Sequence, residues 1–222
     1  MKGYLWLIGI FVIAIPVGYF YLKPDEKPLP VINPVDVNDS LVDQDLLRKG
    51  FDHRIGDFKF LNQDSALLSS KDIKNKIWVA EYFFTTCGSI CPKMNEQMRR
   101  VQKAFKGEND VVILSFTCYP EVDTVAQMRK HAEFLGAELP QWQLLTGDKN
   151  KLYNLARRSF FLLKPAEVKK QGDGGSDFIH TDNFVLIDKK RRIRGYYNGT
   201  KPDEVSQMMK DITRLQKKKT YI

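Results

Sequence analysis

The sequence predicts an α/β sandwich. Two short apolar runs, Ile77 to Phe84 and Val111 to Thr117, read as buried strands, and amphipathic stretches follow each of them. The chain then closes on a hairpin and one more helix, an order that layers helices against a sheet. At 222 residues and 43% hydrophobic content, one domain plus an anchor accounts for the length.

The elements follow in chain order. Tyr4 to Leu22 is 19 residues without a charge. At 1.5 Å per residue it spans about 28 Å, close to a bilayer core of about 30 Å. Tyr4, Trp6, Tyr19 and Tyr21 gather towards its two ends, as interfacial aromatics do. A cleavable signal peptide would need small residues after the apolar run. The run ends instead in Tyr19-Phe20-Tyr21-Leu22, so residues 1–23 are expected to be an uncleaved transmembrane anchor. A short N-terminal anchor ahead of a long polar domain suits a bacterial inner-membrane protein whose domain lies on the periplasmic side. Residues 24–50, with Pro24, Pro28, Pro30 and Pro34, read as an extended stalk.

The domain proper is expected over residues 51–217, with 218–222 as a tail. Phe58 to Leu61 and Ala66 to Leu68 read as a hairpin around Asn62-Gln63-Asp64. Cys91 to Phe105 is a helix, and Pro92 in its first turn sets the start. Thr124 to Leu135 is a second helix, Trp142 to Leu145 a short strand, and Lys149 to Ser159 a third helix. Phe184 to Asp188 and Ile193 to Tyr197 form a hairpin around a basic turn. Pro202 to Lys217 is the last helix. Lys164 to Asp177, with Gly172, Gly174 and Gly175, reads as a long flexible loop. A thioredoxin-like topology fits this order.

The formal charge of +8 comes largely from Lys189-Lys190-Arg191-Arg192 with Arg194, and from Lys217-Lys218-Lys219. Such blocks are usually solvated turns and tails. No nucleic-acid motif accompanies them, so no nucleic-acid partner is expected. An acidic partner or an anionic membrane surface is the better use. Three cysteines are too few for a disulfide scaffold.

Two of them, Cys87 and Cys91, stand where the first buried strand gives way to a helix. On a regular helix, i and i+4 side chains have Cβ atoms about 5–6 Å apart. A disulfide wants about 3.8 Å, whereas a metal bridging two sulfurs at about 2.3 Å each accepts the wider gap. The spacing thus suits a metal, and a disulfide only after local rearrangement. The helix N-terminus is expected to lower the pKa of both thiols. Two structural core cysteines are the plain alternative, but a Gly-Ser turn preceded by two threonines is a poor setting for them. Of the histidines, His53 and His131 read as exposed and idle. His180 lies just ahead of an apolar strand, and with two thiolates it completes a three-ligand set suited to copper or zinc.

Phe84-Thr85-Thr86-Cys87-x-x-x-Cys91-Pro92, Pro120-x-x-Asp123-Thr124, Trp142-x-x-Leu145-Thr146-Gly147, and His180 ahead of Phe184-x-Leu186-Ile187-Asp188 resemble the Sco/SenC family of membrane-anchored copper proteins. The resemblance covers roughly residues 50 to 212. It implies a thioredoxin-like fold and a copper ion held by Cys87, Cys91 and His180. It also implies delivery of copper to the binuclear site of cytochrome c oxidase subunit II, or reduction of that site's thiols. Where the family commonly has Ser-Val-Asp-Pro, this chain has Thr117-Cys118-Tyr119-Pro120, so an acid is lost and a third thiol appears. Cys118 is open to three readings: a resolving thiol, an extra ligand or a small core residue. The rival function is a thiol-disulfide oxidoreductase working through Cys87 and Cys91 with a thiol reductant as partner; a peroxidase is a weaker third.

Overall fold

All seven residues of Ile77–Phe83 are buried, as are all seven of Val111–Thr117. A strand buried on both faces needs layers on both faces, and alternate side chains divide between them. Ile77, Val79 and Phe83 join one core cluster, and Trp78, Ala80 and Tyr82 join the other. The computed structural model describes residues 10, 12–15, 27–38, 41–88, 90–162 and 182–217.

Among these residues the strands are β1 (Lys59–Asn62), β2 (Leu67–Ser69), β3 (Ile77–Phe83), β4 (Val111–Thr117), β5 (Trp142–Thr146), β6 (Asn183–Ile187) and β7 (Ile193–Asn198). The helices are α1 (Gln44–Lys49), α2 (Cys91–Ala104), α3 (Val125–Leu135), α4 (Lys149–Arg158) and α5 (Pro202–Lys217). One mixed sheet has the order β2-β1-β5-β4-β3-β6-β7. β3, β4 and β5 are parallel, and β1 and β6 flank them antiparallel. The expected α/β sandwich is therefore observed.

Met94, Met98 and Val101 of α2, Met128 and Leu135 of α3, and Val205, Met208 and Ile212 of α5 cover one face. Leu152, Leu155 and Ala156 of α4, with Phe160 and Phe161, cover the other. On that second face Phe116 meets the rings of Phe58, Phe60, Tyr82 and Phe160, all with centroids within 6.0 Å. Local signals set the borders. Thr124 caps α3 by accepting from the Gln127 N–H. Gly136 ends the same helix in the left-handed region, at φ +67°, where a side chain would strain the backbone.

Two expectations change. The proposed stalk is part of the domain from Lys27 onward. Val42 and Leu46 are buried in the second core. Ile32 pairs with Ile193, and Arg194 donates to the Leu29 and Pro30 carbonyls. Apolar side chains after the last proline and backbone carbonyls between the prolines supply this anchorage. The basic turn, in addition, is more than a solvated loop. Asp188 is 6% exposed and accepts from the Lys190 and Arg192 N–H groups and from the guanidinium groups of Arg192 and Arg194. Burial pushes the Asp188 carboxyl up, but the bonds from Arg192 and Arg194 outweigh it and hold the group below its usual range.

No helix among the described residues is long and apolar enough to cross a membrane. Nearly all of the expected anchor, the loop Lys164 to Asp177, His180 and the tail 218–222 lie outside the described residues.

Candidate metal centre

The C-terminal ends of β3, β4 and β5 lie side by side, and one residue, Asp123, ties them together. Asp123 is fully buried. It accepts from the Thr85 N–H at 3.2 Å and from the hydroxyls of Thr85 and Thr117. The Thr146 hydroxyl donates to the Asp123 carbonyl at 2.7 Å. The Gln127 amide reaches Thr85 Oγ1 from α3. The turn after β3 is thereby held on both sides, and the Cys87 N–H closes it onto the Phe84 carbonyl at 3.2 Å.

Cys87 is half-buried on the rim. Cys91, at the first position of α2, is 6% exposed. Pro92 occupies the second position, where the missing N–H removes no helical bond. The two thiols share a hydrogen bond, and the Phe84 backbone also bonds the Cys91 sulfur. Cys87 lies ahead of α2 rather than on it, so the two sulfurs come together at the head of the helix and not across one of its turns. The electrostatic expectation does not hold at Cys91. Burial, and then the bond and charge of Cys87, push its thiol well above the usual range, against the opposing Phe84 contact. Loss of water outweighs the helix end. Cys91 is therefore a thiol at neutral pH, and binding a soft metal there must release its proton.

Cys118 lies beside Phe84, its N–H donating to the Phe83 carbonyl at 2.8 Å. Burial, then the Cys91 charge, raise its pKa well above the usual range. It packs against the core on the face opposite Cys87 and Cys91. Among the described residues no three His, Cys, Asp or Glu side chains gather closely enough to hold a metal ion. Of the three readings of Cys118, the core residue fits this placement. His180 is outside the described residues.

His53 and His131 are not the exposed residues expected. His53 Nε2 lies 2.8 Å from the Ser159 carbonyl, and its ring rests on Phe161 at 4.5 Å. His131 stacks on Phe83 at 5.4 Å. Burial lowers both pKa values. Sequence reasoning also missed Glu81. It is 1% exposed, and it accepts from the Ser115 hydroxyl at 2.6 Å, while its second oxygen has no hydrogen-bond partner. Burial raises its pKa to about 7, against the Ser115 bond that lowers it. Its signal was plain: a lone acid interrupting an apolar strand.

A family model described as SCO1/SenC matches residues 48–217. The chain belongs to the SCO1/SenC family. A Bacillus subtilis SCO1 protein homolog is 30% identical over 168 residues, covering 75% of this chain and 84% of that protein. The structure of BsSco, a member of the Sco family of cytochrome c oxidase assembly proteins with an identified disulfide switch, is 30% identical at TM-score 0.63. That match covers 75% of this chain and 95% of the other. Bradyrhizobium japonicum ScoI, solved with copper bound, is 22% identical at TM-score 0.55, covers 72% of this chain and 98% of its own, and supports the fold. The mixed α/β fold of this SCO1/SenC protein is thioredoxin-like, and Cys87 and Cys91 stand at the strand-to-helix junction.

Proposed function

We propose that this protein binds copper through Cys87, Cys91 and His180, and delivers it to the binuclear copper site of cytochrome c oxidase subunit II. Residues 4–22 anchor it in the bacterial inner membrane, with the domain on the periplasmic side. The observation that carries the reading is the Cys87–Cys91 thiol contact at the head of α2. Two soft sulfur donors, one buried and one on the rim, suit copper. The Asp123 clamp holds their turn in one geometry, which lowers the ordering cost of binding. Cys87, the half-exposed member, is the sulfur a partner can reach for transfer. β6 supports the third ligand: it runs antiparallel to β3, with Ala80 opposite Val185, so its first residues adjoin the edge that bears the thiols. His180 is two residues before Asp182, and two residues span at most about 7 Å.

Titration of the purified protein with copper, followed by absorbance and electron spin resonance, tests this. Cys87→Ser or Cys91→Ser should abolish tight binding, and His180→Ala should weaken it. One tightly held copper per chain in either cysteine variant overturns the assignment.

The same thiol contact supports a second activity, dithiol–disulfide exchange with subunit II. Cys87 and Cys91 would give up two electrons and two protons to a partner disulfide and become a disulfide themselves. A partner disulfide reduced equally well by the His180→Ala variant would separate this activity from copper delivery.

A further inference from the structure

The basic turn Lys189 to Arg194, the end of α5 and residues 27–30, far apart in sequence, meet at one pole of the domain. β6 is antiparallel to β3, with Ile187 opposite Trp78, so the turn after β6 lies at the start of β3. Lys189 there reaches Asp110, which precedes β4, at 2.7 Å. α5 runs down to the same place, where Gln216 donates to Asp110 at 2.9 Å. Residues 27–30 lie beside both: Arg214 donates to the Lys27 carbonyl at 2.6 Å, and Arg194 to the Pro30 carbonyl at 2.7 Å. The thiol turn follows the other end of β3. Six strand steps separate the two ends, about 20 Å.

Arg192, Arg194 and Arg214 are held by Asp188 and Asp211, and Lys189 by Asp110. Lys27, Lys190 and Lys217 are exposed and carry no ion pair among the described residues. The paired arginines thus build the pole, and three lysines remain directed to whatever it faces. In sequence, Lys27 follows the apolar segment 4–22 by five residues, and Lys217 is followed by two more lysines.

Resting on the membrane-anchor reading above, we infer that this basic pole docks on the anionic headgroups of the bilayer that the N-terminal segment enters, and so holds the Cys87–Cys91 edge facing away from the membrane. A lysine beside an anionic surface contributes roughly a fivefold preference. Three acting together favour the docked orientation by about a hundredfold in low salt, and screening removes it. Tethering alone leaves the domain free to tumble; the lysines give it one orientation.

The test uses the full chain in vesicles of phosphatidylcholine alone or with phosphatidylglycerol added. A membrane-impermeant acylating reagent labels exposed lysines, which mass spectrometry then counts. Lys27, Lys190 and Lys217 should label at least about tenfold more slowly with phosphatidylglycerol present. Lys93, exposed on α2 at the thiol edge, should label equally in both. High salt, or Lys190→Glu with Lys217→Glu, should restore the labelling of Lys27. Failure to float with either vesicle overturns the anchor and this inference together. Flotation with equal labelling in both lipids overturns this inference and leaves the anchor standing.

Discussion

The two ends of the central strands handle buried ionisable groups in opposite ways. At the basic pole, Asp188 and Arg194 are each 6% exposed and remain charged, because each neutralises the other at 2.8 Å. At the thiol end, no cation among the described residues acts on Cys91, and burial keeps it protonated. Glu81, in the strand between, has only the Ser115 hydroxyl and an unpartnered second oxygen. One end is an ion-paired lock and the other a store of exchangeable protons. A buried group stays charged only where a counter-charge offsets lost hydration. The pole therefore serves as foundation, and the thiol end keeps protons that a metal or a partner disulfide can displace.

Breaking the lock should have the largest effect. Arg194→Met leaves Asp188 with a single guanidinium and two backbone carbonyls without their donor. A loss of about 3–5 kcal/mol in denaturant unfolding is expected. A loss under about 1 kcal/mol would mean that Arg192 alone holds the turn, and the contrast between the ends would fail.

Asp123→Ala comes next. It leaves the Thr85 N–H and two hydroxyls unpaired at the thiol end, for about 3 kcal/mol. It should also loosen the Cys87 turn and weaken copper binding. Asp123→Asn should retain more of both, since the amide oxygen still accepts. Unchanged copper affinity in the alanine variant would show that the clamp is not needed to hold the thiols.

Glu81 sharpens the comparison through pH. The folded state keeps a proton that the unfolded chain releases above its ordinary value of 4.5. The associated stability is complete below that value and is lost as pH rises through about 7. The loss amounts to about 3 kcal/mol, so unfolding midpoints should fall between pH 5 and pH 8. Glu81→Gln should flatten that limb. A profile equally steep in the variant would move the titration to another group.

Cys118→Val should have the smallest effect, under about 1.5 kcal/mol, because the thiol packs as a small apolar group. Copper stoichiometry should be unchanged. A lost copper or an altered reduction potential would return Cys118 to the site.

Much of this was legible locally. Val111 to Thr117 and Pro202 to Lys217 form their elements with the expected limits, and Thr124 caps the helix it was expected to start. Pro92 placed the head of α2 correctly. These signals act within one helical turn or one strand, so sequence carries them. The role of Asp123 was not legible, because its donors come from residues 38 and 6 positions away. The packing of residues 27–50 was missed for the same reason: proline spacing suggested extension but could not reveal the surface against which Val42 and Leu46 are buried.

The sequence by itself determined the strand and helix order, the i, i+4 thiol pair at a helix start, and the family resemblance. Periodicity, caps and covalent spacing are local and survive without the fold. Only the tertiary structure set Cys118 apart from Cys87 and Cys91 and made Cys91 a protonated thiol. Cys118 falls on the far face of the sheet, and burial overrides the helix end at Cys91. Hydration is lost or kept according to what packs above a residue, and that is a property of the assembled layers.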